Sequence, residues 1–525
     1  MFGQNPARIH EISSYQPRTS RDEMSDSLTN MCRREAAEWM ISMNLYRLLE
    51  GLEWKGSVPD QDIPSLTCDS RQVEPGSLFF CIKGGQSDGH DFAKAACEAG
   101  AAAVVVERDL GIPGQILVGN SRLAYSIVCG NYFGNPARKM KLVGITGTNG
   151  KTTTTYLIKH ILETTGAKVG LIGTIQIEVG DQPLLAKYTT PDPYQLHTTF
   201  AQMEKAGCEY VVMEVSSHSL DQNRVAGLTF EVGVFTNLTQ DHLDYHGTME
   251  NYYQAKRKLF DHCRAAVVDV DDAYGKRLAG ECPCPVKTYS VQGNPADYMA
   301  GEIVTFADGS AYILSAKNRR EQVKIAMPGA FSVANATGAA AACLALGMGW
   351  ERVLYALSTC PGVKGRLEVL PAPGKDFTIL RDYAHSPDGL LKMLTAVREF
   401  APGRILCLFG PAGCRDRTKR PKMGKIVASL ADFVILTSDN PRTEDPQQIL
   451  NDTLPGILEV GAPYKMIVNR YDAIEWALHN AQKDDILVLA GKGHEDYQVL
   501  DYGTIYFDEK EVVARLLAEE AADAK

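Results

Sequence analysis

The sequence predicts an α/β fold in three domains, and three observations carry that expectation. The chain has 525 residues, which at about 150 residues per domain points to three or four units rather than one. Apolar runs of strand length alternate with helical patterns almost from end to end, the order that builds largely parallel sheets. Most of those runs pass directly into Gly, Asp, Asn, His or Arg, so the chemistry is expected at the carboxyl ends of strands, where open parallel sheets place their ligands.

Hydrophobic residues make up 45% of the chain and charged residues 22%, which supplies several cores and gives no compositional case for disorder. Lys and Arg number 54 against 64 Asp and Glu, a net charge of −10. That balance argues against nucleic-acid binding, and an anionic ligand would need a local basic pocket. The longest weakly polar stretch, residues 336–350, is interrupted by Thr, Gly and Cys and falls short of the roughly 18 residues of a membrane span, so no membrane association is expected. The 13 cysteines are odd in number and contain no CxxC pair. They suggest neither a disulfide framework nor a zinc site and fit reduced thiols in a cytoplasmic protein.

Taken in order, residues 1–42 are polar and charged without an apolar core, and are read as a disordered or non-native extension. Residues 43–135 form a small α/β domain, with SLFFCI and AAAVVVE as strands and the turn FGNPAR at its close. Residues 136–366 form a central domain with a mostly parallel sheet. Its strands are KLVGITG, KVGLIGT, EYVVMEVSS, EVGVFTNL and AAVVDVDD, with helices such as TTYLIKHILETTG between them. Residues 367–525 form a third, Rossmann-like α/β domain built on DFTILRDYAHS, RILCLFGPAG, DFVILTSDNPR and DDILVLAGKGHE.

The strongest motif is Gly147, Thr148, Asn149, Gly150, Lys151, Thr152 and Thr153, between a strand and a helix expected to begin near Thr153. Loop N–H groups and a helix N-terminus would hold phosphate oxygens, Lys151 would reach the terminal phosphates, and the Thr152 hydroxyl would ligate Mg²⁺. Ile145 stands where the ordinary pattern has its first Gly. Glu214, at the end of EYVVMEV, is a natural direct or indirect Mg²⁺ ligand beside such a loop. Asp241, His242, Asp244 and His246 cluster after EVGVFTNL, and read as an oxygen-rich Mg²⁺ site with one imidazole rather than a zinc site. Spacing alone makes Lys256, beside Arg257 and Lys258, a solvated lysine.

GITGTNGKTTT, EVSSHSLDQNR, TNLTQDHLDYHG, the AK that ends in Lys256, GRLE, DYAHSPD, KRPKMG, DNPRTEDP and GKGHEDYQ occur in this order. Together they resemble the Mur ligase family of peptidoglycan synthesis, over everything from Met43 onward. The resemblance implies a small uridine-nucleotide-binding domain, a central P-loop-type ATPase domain and a C-terminal domain that binds an amino acid. The implied reaction moves the γ-phosphate of ATP to a substrate carboxylate, and an amine then attacks the acyl phosphate. Lys151, Glu214, His242 and Lys256 would be the catalytic set, and Thr152, Glu214, His242 and Lys256 would hold Mg²⁺. Lys256 aligns with a lysine carried as a CO₂-derived carbamate, which requires the neutral amine and hence a depressed pKa.

By the same resemblance Asn335, Arg366, Asp382 and His385 join the loop in binding ATP. Ser70, Gly85, Gln86 and Ser87 would contact the uridine nucleotide, and Thr189, Thr190, Ser216, Gln222 and Arg224 the muramoyl-dipeptide arm. Asp439, Asn440, Pro441 and Arg442 match the form of the motif found in ligases that add meso-diaminopimelate, with Arg415, Gly491 and Glu495 completing the pocket. A guanidinium fork suits the second carboxylate of diaminopimelate, which lysine lacks. Cys414 departs from the family, which more often has Asp before the Arg.

The expectation is therefore an ATP-dependent ligase joining meso-2,6-diaminopimelate to UDP-N-acetylmuramoyl-L-alanyl-D-glutamate, a cytoplasmic monomer with small-molecule partners only. The alternatives are a ligase for L-lysine or another diamine, and a nucleotide-binding scaffold without turnover.

Overall fold

The computed structural model describes residues 42–85 and 87–523. The extension expected over residues 1–42 lies outside them except for Ser42, as does Gln86. Three sheets of five or more strands follow one another along the chain.

The first runs in the order Trp54–Lys55, Gln115–Val118, Ala103–Val106, Leu78–Phe80, Leu66–Thr67. It is parallel except at Trp54–Lys55. Helix Ser121–Tyr132 covers it, started by Asn120, whose side chain accepts from the Leu123 N–H and so satisfies one of the free amides of the first turn.

The central sheet has eleven strands. Its parallel core is Val169–Ile172, Tyr210–Glu214, Lys141–Thr146, Val232–Phe235, Ala266–Asp269, Val286–Ser290 and Tyr298–Phe306. Lys141–Thr146 lies between strands that come later in the chain, so the loop that follows it opens at a topological switch point. Both edges are antiparallel, which the sequence reading did not foresee. Gln176–Val179 and Gln182–Leu185 form a hairpin at one edge, and Gly309–Ala316 and Arg319–Ile325 extend the other. The turn at Asp308-Gly309 is a hairpin signal, and one face of Arg319–Ile325 is solvated.

Alternation along the core strands sends Val143 and Ile145 to one apolar layer and Leu142 to the other. Each such fully buried side chain contributes about 1.5–3 kcal/mol. Ala336, Ala339, Ala340, Ala341 and Ala342 of helix Ala330–Ala345 are wholly buried. The alanines bring that helix close to Lys151–Glu163 and fix the level of the phosphate loop. Helix Lys151–Glu163 begins two residues earlier than expected, because Gly150 adopts a left-handed φ of 83° and turns the chain directly into it.

The third sheet runs Glu368–Leu370, Thr378–Asp382, Ile486–Ala490, Ile405–Phe409, Phe433–Leu436, Tyr464–Met466, with only the first pair antiparallel. Helices Lys419–Leu430 and Pro446–Val460 on its flank meet through Gly424 and Gly456. A Cβ at Gly456 would run into the Pro421 carbonyl, and one at Gly424 would press on that of Thr453. Among the described residues no helix is long and apolar enough to cross a membrane.

Candidate active site

The loop after Lys141–Thr146 is fastened to the loop after Val232–Phe235. Thr148 N–H donates to the Asn237 carbonyl at 2.9 Å, Thr236 Oγ1 donates to the Asn149 carbonyl at 2.6 Å, and Asn149 N–H donates to Asn237 Oδ1 at 3.0 Å. Gly147 has φ 148°, and a Cβ there would collide with Thr236 Oγ1, so only glycine permits this approach. At Gly150 the same test meets Asn335 Oδ1, which brings the expected nucleotide contact Asn335 against the loop. Thr153 lies in the first turn of the helix.

Lys151 Nζ donates to the carbonyls of Gly147 and Thr148 at 3.0 and 2.9 Å. Burial holds its ammonium below the ordinary lysine range, opposed by Glu214 and reinforced by Arg366. Thr152 Oγ1 donates to Glu214 Oε1 at 3.0 Å. Glu214 also accepts from Thr174 N–H at 2.9 Å and from Thr174 Oγ1 at 3.0 Å. A hydroxyl and a carboxylate meeting at the start of the loop helix are donors of the kind Mg²⁺ takes.

Lys256 corrects the reading from spacing. Its side chain is buried, with Nζ 2.7 Å from the same Gly147 carbonyl and 4.6 Å from the centre of the Tyr252 ring. Among the described residues no carboxylate pairs with it. Burial first, and the Lys151 charge second, push its amine far down from the usual lysine value. Two lysines on one carbonyl cannot both stay protonated cheaply, and a neutral amine is the form that reacts with CO₂.

The expected four-residue cation cluster does not converge, and no group of three or more His, Cys, Asp or Glu among the described residues is arranged to hold a metal. His246 Nε2 is bonded to Ser217 Oγ at 2.9 Å, while Asp241 caps the N–H of His242, which sits at φ 51°. Asp244 is exposed. The imidazoles instead gather around His218, with His242 edge-on at 4.9 Å and His246 tilted at 5.4 Å between ring centres. Burial lowers the His218 pKa, with His242 and His246 adding to the effect.

The residues expected at the dipeptide arm lie together on the other side of Glu214. Thr190 Oγ1 donates to the Glu214 carbonyl at 2.9 Å and accepts from Ser216 N–H at 3.1 Å. Arg224 reaches the Thr190 carbonyl at 2.9 Å and Gln222 Oε1 at 2.8 Å, and Thr189 meets Thr174 at 3.0 Å. Ser70, Gly85 and Ser87 belong to loops of the first sheet. Ser70 opens a short 3-10 turn capped by Asp69, and Gly84 N–H and the Ser87 carbonyl close the loop that carries Gly85. Arg122, which the sequence reading did not single out, donates to the Lys83 carbonyl at 2.7 Å and tethers that loop.

The third sheet approaches the phosphate loop through Arg366, whose Nη2 is 3.4 Å from Thr152 Oγ1 and whose guanidinium lies 5.5 Å from the Tyr383 ring centre. Arg366 Nε is buried with no hydrogen-bond partner among the described residues. Asp382 accepts from Leu367 N–H and Ala384 N–H, both at 2.8 Å, and burial raises its carboxyl pKa. His385 is exposed and bonded to the Tyr383 carbonyl.

At the same carboxyl edge of that sheet, where Gly491 N–H donates to the Asp382 carbonyl at 3.0 Å, Asp439, Asn440, Gly491 and Glu495 converge. Asn440 Nδ2 donates to Glu495 Oε2 at 3.0 Å. Arg442, at φ 56°, follows Pro441 and donates to the Gly413 carbonyl at 2.8 Å. Arg415 is exposed. Cys414 next to it is left-handed at φ 53°, and its N–H donates to Glu444 at 2.5 Å. Lys492, unnamed in the sequence reading, lies wholly buried at the centre of the group. A lysine between two glycines at a strand end was its only sequence signal.

Residues 145–343 match the Mur ligase middle domain, 365–493 the Mur ligase glutamate ligase domain and 62–132 the Mur ligase family catalytic domain. The chain is 46% identical over 462 residues to UDP-N-acetylmuramoyl-L-alanyl-D-glutamate–2,6-diaminopimelate ligase 1 of Clostridium acetobutylicum, covering 87% of this chain and 95% of the relative. It is 44% identical to the ligase of the same name from Caldanaerobacter subterraneus, covering 91% and 99%. A solved structure of a UDP-N-acetylmuramoyl-L-alanyl-D-glutamate–2,6-diaminopimelate ligase superposes with a TM-score of 0.69 at 31% identity, over 92% of this chain and all of that one.

Proposed function

This chain belongs to the Mur ligase family, and from that premise we infer that it is the ATP-dependent ligase joining meso-2,6-diaminopimelate to UDP-N-acetylmuramoyl-L-alanyl-D-glutamate in peptidoglycan precursor synthesis. The observation that carries this reading is identity of 42–46% to relatives of that name over nearly their whole length.

The residues support a division of labour. The Gly147–Thr153 loop and Lys151 bind the ATP phosphates, and Asn335, Arg366, Asp382 and His385 flank the nucleotide. The orphaned Nε of Arg366 is a donor awaiting a ligand. Residues 43–135 hold the uridine nucleotide through Ser70, Gly85 and Ser87, with Gln86 outside the described residues. Thr189, Thr190, Ser216, Gln222 and Arg224 orient the dipeptide so that its terminal carboxylate faces the γ-phosphate. A carboxylate and a triphosphate repel, so Lys151 and Arg366 supply positive charge that is already in place when the acyl phosphate forms. Mg²⁺, held by Thr152 and Glu214 and on the family pattern by His242 and carbamylated Lys256, would neutralise phosphate charge. Lys256, buried and biased to the neutral amine, suits carbamylation.

Residues 367–525 present the amine. Glu495 suits an ammonium of the donor, and Arg442 and Arg415 its distal carboxylate. A hydrogen bond from Lys392 Nζ of this unit to Thr239 Oγ1 at 3.3 Å, in the loop fastened to the phosphate loop, makes closure of this unit part of assembling the site, which keeps water from the acyl phosphate. A cytoplasmic monomer is the simplest form compatible with these small-molecule substrates.

The test is phosphate release from ATP with UDP-N-acetylmuramoyl-L-alanyl-D-glutamate and meso-diaminopimelate, L-lysine or no amine, with product mass measured. Turnover with diaminopimelate alone is expected. Turnover with lysine would overturn the role given to Arg442, and no turnover in any mixture would overturn the ligase.

A further inference from the structure

We propose that Lys492 is a positioning residue for the amine donor. It locks the Asp439–Arg442 loop to the Gly491–Glu495 loop and leaves Glu495 with one carboxylate oxygen for the donor's ammonium. The proposal rests on the reading that this pocket holds diaminopimelate.

Lys492 is wholly buried. Its Nζ donates to Asp439 Oδ1 at 3.1 Å, Asn440 Oδ1 at 3.2 Å and Glu495 Oε2 at 3.3 Å, which uses all three protons of an ammonium. It lies 5.6 Å from the centre of the Tyr497 ring. Two loops that are distant in sequence thus share one cation.

The geometry of each acceptor is completed from elsewhere. Asn440 Oδ1 also accepts from Val499 N–H at 3.0 Å, its Nδ2 donates to the same Glu495 oxygen, and Gln498 Nε2 donates to the Asp439 carbonyl at 2.6 Å. The Oε2 atom of Glu495 is therefore committed to Lys492 and Asn440, and Oε1 is the atom left to receive a substrate ammonium. Removal of the lysine would leave Asp439 and Glu495 as two carboxylates in one cleft without their cation. Glu495 Oε2 would then keep only the Asn440 donor, and the two anions would repel across the cleft. The same clamp fixes the backbone from Asp439 into Arg442, so an error at Lys492 would displace the arginine as well.

The experiment uses the full chain and compares Lys492→Met, Lys492→Met/Asp439→Asn and wild type. It reads kcat, KM for each of the three substrates and the thermal midpoint. Lys492→Met should raise KM for diaminopimelate at least about 30-fold, with KM for ATP and for the uridine substrate changed by less than about twofold. The double variant removes both buried charges together, so it remains informative where the single variant unfolds. Its KM for diaminopimelate should lie between the other two. An unchanged diaminopimelate KM in the single variant, a double variant at the wild-type value, or equal losses for all three substrates would overturn the positioning role. Failure of the function reading is separable, because wild type itself would then show no diaminopimelate-dependent turnover.

Discussion

Two buried lysines stand beyond the carboxyl ends of two parallel sheets, and their surroundings treat them oppositely. Lys492 has Asp439 and Glu495 within 3.3 Å, whereas Lys256 has a backbone carbonyl, an aromatic ring and another lysine's charge nearby. Burial of an ammonium costs several kcal/mol. That cost is offset by counter-charges at Lys492, whereas at Lys256 it biases the amine toward its neutral form. On the proposed reading, the contrast separates a lysine that holds structure from one suited to covalent chemistry.

The sharpest way to break the contrast is Lys256→Met, which should lower turnover at least about 1,000-fold, or roughly 4 kcal/mol. Depletion of CO₂ should slow wild type and leave the residual rate of the variant unchanged. A variant that retains full activity would remove the carbamate from the mechanism.

Next in size is Arg442→Ala, expected to cost about 2–3 kcal/mol in kcat/KM for diaminopimelate by loss of the carboxylate fork. Steady-state kinetics with diaminopimelate and lysine side by side would expose an arginine that does not discriminate between them.

A smaller effect tests the charge state of Lys256 directly. Its folded pKa lies below the ordinary lysine value, so between those two values the unfolded chain carries a proton that the folded chain lacks. Stability gained from this site therefore rises with pH across that window. Lys256→Met should raise the thermal midpoint near neutral pH by about 2–4 °C, and its advantage should shrink as the pH approaches the ordinary lysine value of about 10.4. A constant difference across that range would mean that Lys256 is charged in the folded chain.

The smallest effect belongs to Cys414, at φ 53°. Asn tolerates left-handed backbone better, and Cys414→Asn should stabilise the chain by about 0.5 kcal/mol or less, measurable by denaturant midpoint. A destabilised variant would show that the contact between Cys414 Sγ and Thr443 Oγ1 at 3.2 Å outweighs the backbone preference.

Much of the site was legible because its residues follow apolar strands directly. Gly147 to Thr152, Glu214, and Asp439 with Asn440 each stand at or just past a strand's last residue. Local pattern could not disclose the burial of Lys256, since its helix, Met249–Arg257, reads as polar and only tertiary packing turns that lysine under the loop. Lys492 was hidden for a related reason: its three acceptors come from two loops about fifty residues apart. The antiparallel edges of the central sheet escaped because Gln182–Leu185 and Arg319–Ile325 are mostly exposed and turn only Leu184, Val323 and Ile325 to the core, too short an apolar pattern to read as strands. The imidazoles after Val232–Phe235 were found by sequence, but their gathering around His218 was not, because that ring comes from the helix after a different strand.

The glycine contact between helices Lys419–Leu430 and Pro446–Val460 has a mechanical consequence. Arg415 lies just before the first helix and Arg442 just before the second, so the two arginine-bearing loops are the jaws of a caliper whose pivot is at Gly424 and Gly456. On the proposed reading, the gap between those jaws gauges the carboxylate end of the incoming diamine, which both arginines grip. Bulk added at the pivot would then reset the gauge without touching a single group that meets the donor.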